Sequence, residues 1–153
     1  MSMLARFKKP GGFEQLRTLL ETSAAKKRET LFKAIEGEDK EMAALLRASL
    51  LSYDKVITWD PTILGEVTAR LGDKIIAILA WGKSEDIFNK LTHTHKEMKK
   101  RDIKNIMEGL KVTPVEFEVA EIKLIEKVRE AEKEGVVRLD KDGKPQVGAM
   151  KVA

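Results

Sequence analysis

The chain has 153 residues, 42% apolar, 35% charged and 5% aromatic, which suits one compact domain or two small helical units and is too apolar for a disordered chain. Its longest apolar run, Ile75 to Trp81, is far shorter than the ~18 residues a bilayer span needs, and with no cysteine there are no disulfides, thiolate metal sites or cysteine nucleophile. Lys plus Arg is 29 against 25 Asp plus Glu, a net charge of +4; so mild an excess is no nucleic-acid signature by itself.

The opening MSMLARFKKPGG has no apolar core long enough for a signal peptide, so the cytoplasm is the expected location. Residues 1–12 read as a basic flexible arm, with Arg6, Lys8 and Lys9 before the helix-stopping Pro10-Gly11-Gly12. From Phe13 the pattern is helical almost throughout. Leu16, Leu19 and Leu20 share one face, then Leu31, Phe32 and Ile35 up to Gly37, then Met42, Leu45, Leu46 and Ser49 with Leu50. Asp60 before Pro61 is a helix start, because the carboxylate caps free amides and proline fits the first turn. Ile63, Leu64, Val67 and Leu71 form the next buried stripe, ended by Gly72. Ile75 to Trp81 is apolar on nearly all sides and reads as a short central helix stopped by Gly82.

Ser84 opens a further helix with Glu85 and Asp86 in its first turn, where acids oppose the helix dipole. Ile87, Phe88 and Leu91 face inward, and a helix from about His95 to Leu110 follows. Thr113-Pro114-Val115-Glu116 is a capping box. It starts a long helix to about Glu134, with Val115, Val119, Ile122, Ile125 and Val128 inside. After Gly135, VVRLDKDGKPQV reads either as a short strand pair around Asp142-Gly143 or as a frayed tail. Many helices, short links and no convincing strand in the body predict an all-α stacked array of about eight or nine short helices. Such arrays offer surfaces rather than clefts.

The best-defined local feature is basic. Lys96, Lys100 and Lys104 recur every four residues and line one helix face, flanked by Lys99 and Arg101. Glu97 and Asp102 are the only acids among them. The pattern is either a solvated face or a docking face for an acidic partner. Nucleic acid is not expected, since no stacking aromatics or recognised module accompany the lysines.

His93 and His95, two apart, point away from each other on one helix and predict no metal site. Asp140-Lys141-Asp142-Gly143 opens like a calcium loop but lacks the later bidentate glutamate, so a turn is expected. No phosphate loop or nucleophile elbow appears, so the chain reads as a non-enzyme without a cofactor. Tyr53, Trp59 and Trp81 are expected in the core.

Three strings carry a family resemblance: ETLFKAIEGEDKEMAALLRASLLSYDKVITWDPTILGEVTARL, IIAILAWGKSED and VEFEVAEIKLIEKVREAEKEGVVRL. Over about Phe13 to Leu139 the chain resembles the C-terminal half of the flagellar motor switch protein FliG. The resemblance implies an armadillo-like unit over 13–49, a hinge at Leu50-Leu51-Ser52-Tyr53 where the family has Met-Phe-x-Phe, a six-helix unit over 54–139, and a tail over 140–153. In the family the first unit contacts the switch protein FliM or another copy of itself. The second presents a charged helix to the stator protein MotA. The family's earlier regions, with the Glu-His-Pro-Gln motif, have no counterpart here, which implies a fragment or a short paralogue.

The family's adjacent acidic pair falls near Lys104 and Asn105, its lysine before the glycine at Gly82 is Trp81, and its Gly-Pro-Val-Arg turn is Leu110-Lys111-Val112-Thr113. The scaffold therefore resembles the family more closely than its torque charges do.

The resemblance implies a non-catalytic interaction and assembly component, cytoplasmic and peripheral at the flagellar basal body. Its partners would be switch-complex or stator-like proteins or its own copies, with no direct membrane insertion. Two alternatives stand beside it: a paralogue with a non-flagellar acidic protein partner, and a regulatory helical domain like those on the cytosolic side of magnesium transporters.

Overall fold

A computed structural model describes Phe7 and residues 9–146; Arg6 and Lys8 of the expected arm, and the tail from 147 onward, lie outside the described residues. Among these the fold is all-α, as the periodicity predicts, with nine helices and no strand. They are α1 (Gly12–Glu21), α2 (Ala25–Glu38), α3 (Lys40–Ser49), α4 (Tyr53–Val56), α5 (Pro61–Thr68), α6 (Asp73–Ala80), α7 (Glu85–Leu91), α8 (Glu97–Glu108) and α9 (Pro114–Lys133).

Local chemistry sets most starts. Asp39, Ser52, Asp60, Ser84 and Thr113 each accept a backbone N–H of their own first turn through a side-chain oxygen, relieving the free amides of a helix end. At Thr113, Glu116 bonds the threonine hydroxyl at 3.2 Å rather than the threonine amide. Gly82 stops α6 with φ 72, a left-handed conformation that glycine adopts without a Cβ clash.

Two glycines act differently from expectation. Gly37 lies inside α2, which runs on to Glu38 until the Asp39 cap begins α3. Gly72 has φ −73 and is the N-cap of α6 instead of the end of α5, which closes at Thr68. Periodicity marks the helix but not which side of a glycine it lies on.

The chain divides into two compact units. Among the described residues, the first takes in the chain through Leu51 together with Leu139–Lys144; the second holds Ser52–Arg138 with Pro145 and Gln146. In the first, Leu16, Leu20, Phe32, Ile35, Ala43 and Leu46 make the core of α1–α3. Arg28 ties α2 back to α1 by donating to the carbonyls of Leu20 and Ser23. Leu45, expected on the buried face of α3, is 55% exposed; the face closed by α2 is the one carrying Ala43 and Leu46. The Asp140 carboxylate accepts the amides of Asp142 and Lys144, and Gly143 takes φ 72. A tight turn thus forms around Asp142-Gly143, with the Asp140 amide donating to the Lys144 carbonyl at 2.9 Å, so the expected short strand pair is cut down to a minimal bridged turn.

In the second unit α6 is the central element, as its all-round apolar sequence predicts: Ile76 to Ala80 are all buried, and α7, α8 and α9 all pack on it. Gly65 sits mid-helix in α5 because a Cβ there would lie 2.4 Å from Thr94 Cγ2. Tyr53 and Trp59 are buried, and half-buried Trp81 donates its indole N–H to the Leu110 carbonyl at 2.9 Å. Along α9, Ala120, Leu124, Ile125, Val128 and Ala131 are buried. Val115 and Val119 are 71% and 51% exposed, and Ile122 is half-buried. The first turns of α9 project their valines away from the core that its later turns complete.

Candidate functional site

Helix α8 buries only Ile103 fully; Ile106 and Met107 are half-buried, and the rest is largely exposed. Lys96 stands at the N-cap without a side-chain cap bond, and Glu97 occupies the first turn, where its charge opposes the helix dipole. The helix therefore presents its charges to solvent along most of its circumference.

A groove of about 300 Å³ lies beside it, lined by Phe88 and Asn89 of α7 and by Glu97, Lys100, Arg101 and Lys104 of α8. Lys104 Nζ sits 4.9 Å above the Phe88 ring and 2.8 Å from Glu85 Oε1. Lys100 Nζ is 3.6 Å from Glu97. An ammonium over an aromatic face is attracted by the ring quadrupole, so Phe88 helps to place the Lys104 charge.

The structure separates the expected basic face. Lys100, Arg101 and Lys104 converge on the groove with Glu97. Lys99 points elsewhere and grips both carboxylate oxygens of Asp73, in the first turn of α6, at 2.9 and 3.0 Å. Lys96, Arg101 and Asp102 are exposed and make no ion pair among the described residues. Sequence reasoning missed Asn89 and the partnerships of Asp73, Glu85 and Phe88. The first-turn acids Glu85 and Asp86 were legible as helix starters, but nothing local showed that Glu85 reaches Lys104.

His93 is exposed while His95 is half-buried, and His95 Nδ1 is buried without a hydrogen-bond partner among the described residues. Burial pushes the His95 imidazole below its ordinary value; Asp73 opposes this and Lys99 and Lys100 add to it. Among the described residues no three His, Asp or Glu side chains converge to hold a metal. No described helix is long and apolar enough to cross a membrane.

Leu50 to Tyr53 is anchored within each unit. In the first, Leu50 is half-buried, and buried Leu51 donates its amide to the Glu21 carboxylate at 3.0 Å. In the second, Ser52 caps α4 and Tyr53 donates its amide to Glu121 of α9 at 2.7 Å. The Tyr53 hydroxyl donates to the Leu79 carbonyl at 3.2 Å. Its ring meets Phe117 edge-on with centroids 5.1 Å apart, and Lys83 Nζ lies 5.3 and 4.8 Å from the two ring centroids. Burial, and secondarily the charge of Asp54, pushes the Tyr53 phenol up to about 12.

A family model described as the FliG C-terminal domain matches residues 33–139, well over half of the chain. No curated protein and no solved structure matches it.

Proposed function

Because the chain belongs to the FliG C-terminal domain family of the flagellar motor switch, we propose that it is a non-catalytic assembly component working through helix-face contacts with protein partners. The partners would be switch-complex or stator-like proteins or its own copies, met in the cytoplasm beside the flagellar basal body. The docking face is α8, with Lys96, Glu97, Lys99, Lys100, Arg101, Asp102 and Lys104 as its charges. The single observation that carries this reading is that α8 buries only one side chain fully and leaves most of its charged residues at the surface. Charge of this kind steers encounter and sets specificity more than it sets affinity.

The two units correspond on this reading to an armadillo-like unit and a C-terminal helical unit, with Leu50-Leu51-Ser52-Tyr53 as the hinge. Its support is that Leu51 is tied to Glu21 in one unit and Tyr53 to Glu121 in the other. Crosslinking and pull-down against switch-complex and stator proteins test the assembly role. A deletion strain that swims normally would remove the motility role.

A second reading has one observation in its favour. The adjacent acidic pair of the resembling family falls near Lys104 and Asn105, and Lys104 carries a positive charge that pairs with Glu85. A paralogue that kept the scaffold and took a different acidic protein partner fits that replacement. Capture of acidic non-motor proteins, together with no crosslink to the stator, would favour it.

A further inference from the structure

The first turns of α9 carry an apolar stripe that its own chain leaves in water. Val115 and Val119 are 71% and 51% exposed, and Ile122 on the same face is half-buried. Residues three and four apart on a helix are neighbours, so the three side chains are contiguous. Valine is a poor choice for an exposed helix position, because its branched side chain loses rotamer freedom there and gains no packing. One flank of the stripe is charged. Glu116 and Lys123 stand on it roughly two turns apart, one on each side of Val119. Both are exposed, and neither makes an ion pair among the described residues.

We propose that this stripe is where two copies of the chain pair, with their α9 helices antiparallel and Val119 at the two-fold axis. In that register Val119 meets its counterpart, Val115 of each copy packs on Ile122 of the other, and Glu116 of each copy faces Lys123 of the other. The two-fold uses one patch on both copies, so each contact occurs twice. The flanking charges select the orientation, as they do between paired helices generally. A parallel pair would set Glu116 against Glu116 and Lys123 against Lys123. A different partner carrying a single sign of charge would be repelled at one end of the flank, whereas an antiparallel copy is matched at both. The interface lies wholly on α9, and it does not depend on the role proposed for α8.

The test is sedimentation equilibrium of the full chain at low salt, from about 10 μM to about 1 mM. Thermal midpoints check that every variant is folded. The parent is expected to pass from monomer to dimer across this range. V115S combined with V119S is expected to weaken the dimer at least about tenfold, by removing the apolar contact. E116K alone, or K123E alone, sets like charges at both flanking contacts and is expected to weaken it about tenfold. An equal mixture of E116K and K123E restores opposite charges at both contacts, and is expected to dimerise about as well as the parent.

A parent that stays monomeric would overturn the proposal and leave the stripe to a different protein. A dimer that the two serines do not weaken would overturn it too, by placing the interface on another face. A dimer weakened by the serines but by neither charge reversal, or a mixture no better than its separate components, would overturn the antiparallel register.

Discussion

Helices α8 and α9 both pack on α6, yet they are attached in different ways. α8 buries one side chain fully, Ile103, with Ile106 and Met107 half-buried, and makes ion pairs to Asp73 and Glu85 on α6 and α7. α9 buries five, from Ala120 to Ala131. It also anchors the start of α4 through Glu121 and Tyr53, and its C-terminal end takes the fork of Arg70 on Glu134 at 2.9 and 3.0 Å. Apolar burial is proportional to area and is not weakened by charge screening. Exposed ion pairs are weak and screened. α9 is thus held mainly by apolar burial, whereas ion pairs that salt weakens make up a larger part of the attachment of α8.

The sharpest way to break this contrast is Ile103→Ala. Emptying the one fully buried position of α8 should cost about 2–5 kcal/mol in denaturant unfolding, with hydrogen exchange rising first in α8 amides. A loss under about 1 kcal/mol would mean that the surface pairs hold the helix after all.

The second test is alkaline. Tyr53 binds its proton more tightly folded than unfolded, its phenol being raised from 10.0 to about 12. Stability that is complete below about pH 10 should therefore fall as pH rises towards 12. Tyr53 is the only tyrosine, so phenolate absorbance reports the site directly. A midpoint near the ordinary value would show that its burial beside Phe117 is not maintained.

Glu121→Ala should cost about 1–2 kcal/mol by leaving the Tyr53 amide without its acceptor, while Glu121→Gln, which keeps an acceptor oxygen, should recover most of it. Lys99→Gln should cost under about 0.5 kcal/mol and less still at high salt. A larger loss would make the Asp73 pair structural. Smallest of all, Val115→Ser with Val119→Ser should change stability by no more than about 0.5 kcal/mol, since both valines are already in water.

Much of the fold was legible because its signals are local. Asp60-Pro61, Ser84 and Thr113 start helices where the sequence places them, since a cap bonds amides two or three residues away. The uniformly apolar Ile75–Ala80 stretch becomes the element on which three others pack. Leu45, Val115 and Val119 went astray for one reason. Helical spacing identifies an apolar stripe but not how much of it a neighbour covers, and α3 and α9 each leave part of theirs in solvent. Gly72 was ambiguous because a glycine serves equally after one helix and before the next.

For the charged face of α8, spacing alone made the charges a row. It could not say that Lys99 leaves that row for Asp73, 26 residues away, or that Lys104 is held by Glu85, 19 residues away. Nor did it reveal the Glu21 and Glu121 carboxylates that grip the amides of Leu51 and Tyr53. The sequence by itself determined an all-α chain, its principal caps and the helix that carries the exposed charge, because these depend on contacts within a turn or two. Only the tertiary structure decided which charges are paired within the chain and which face solvent. Those pairings join different helices, and the packing of α7 and α8 on α6 brings the groups within reach.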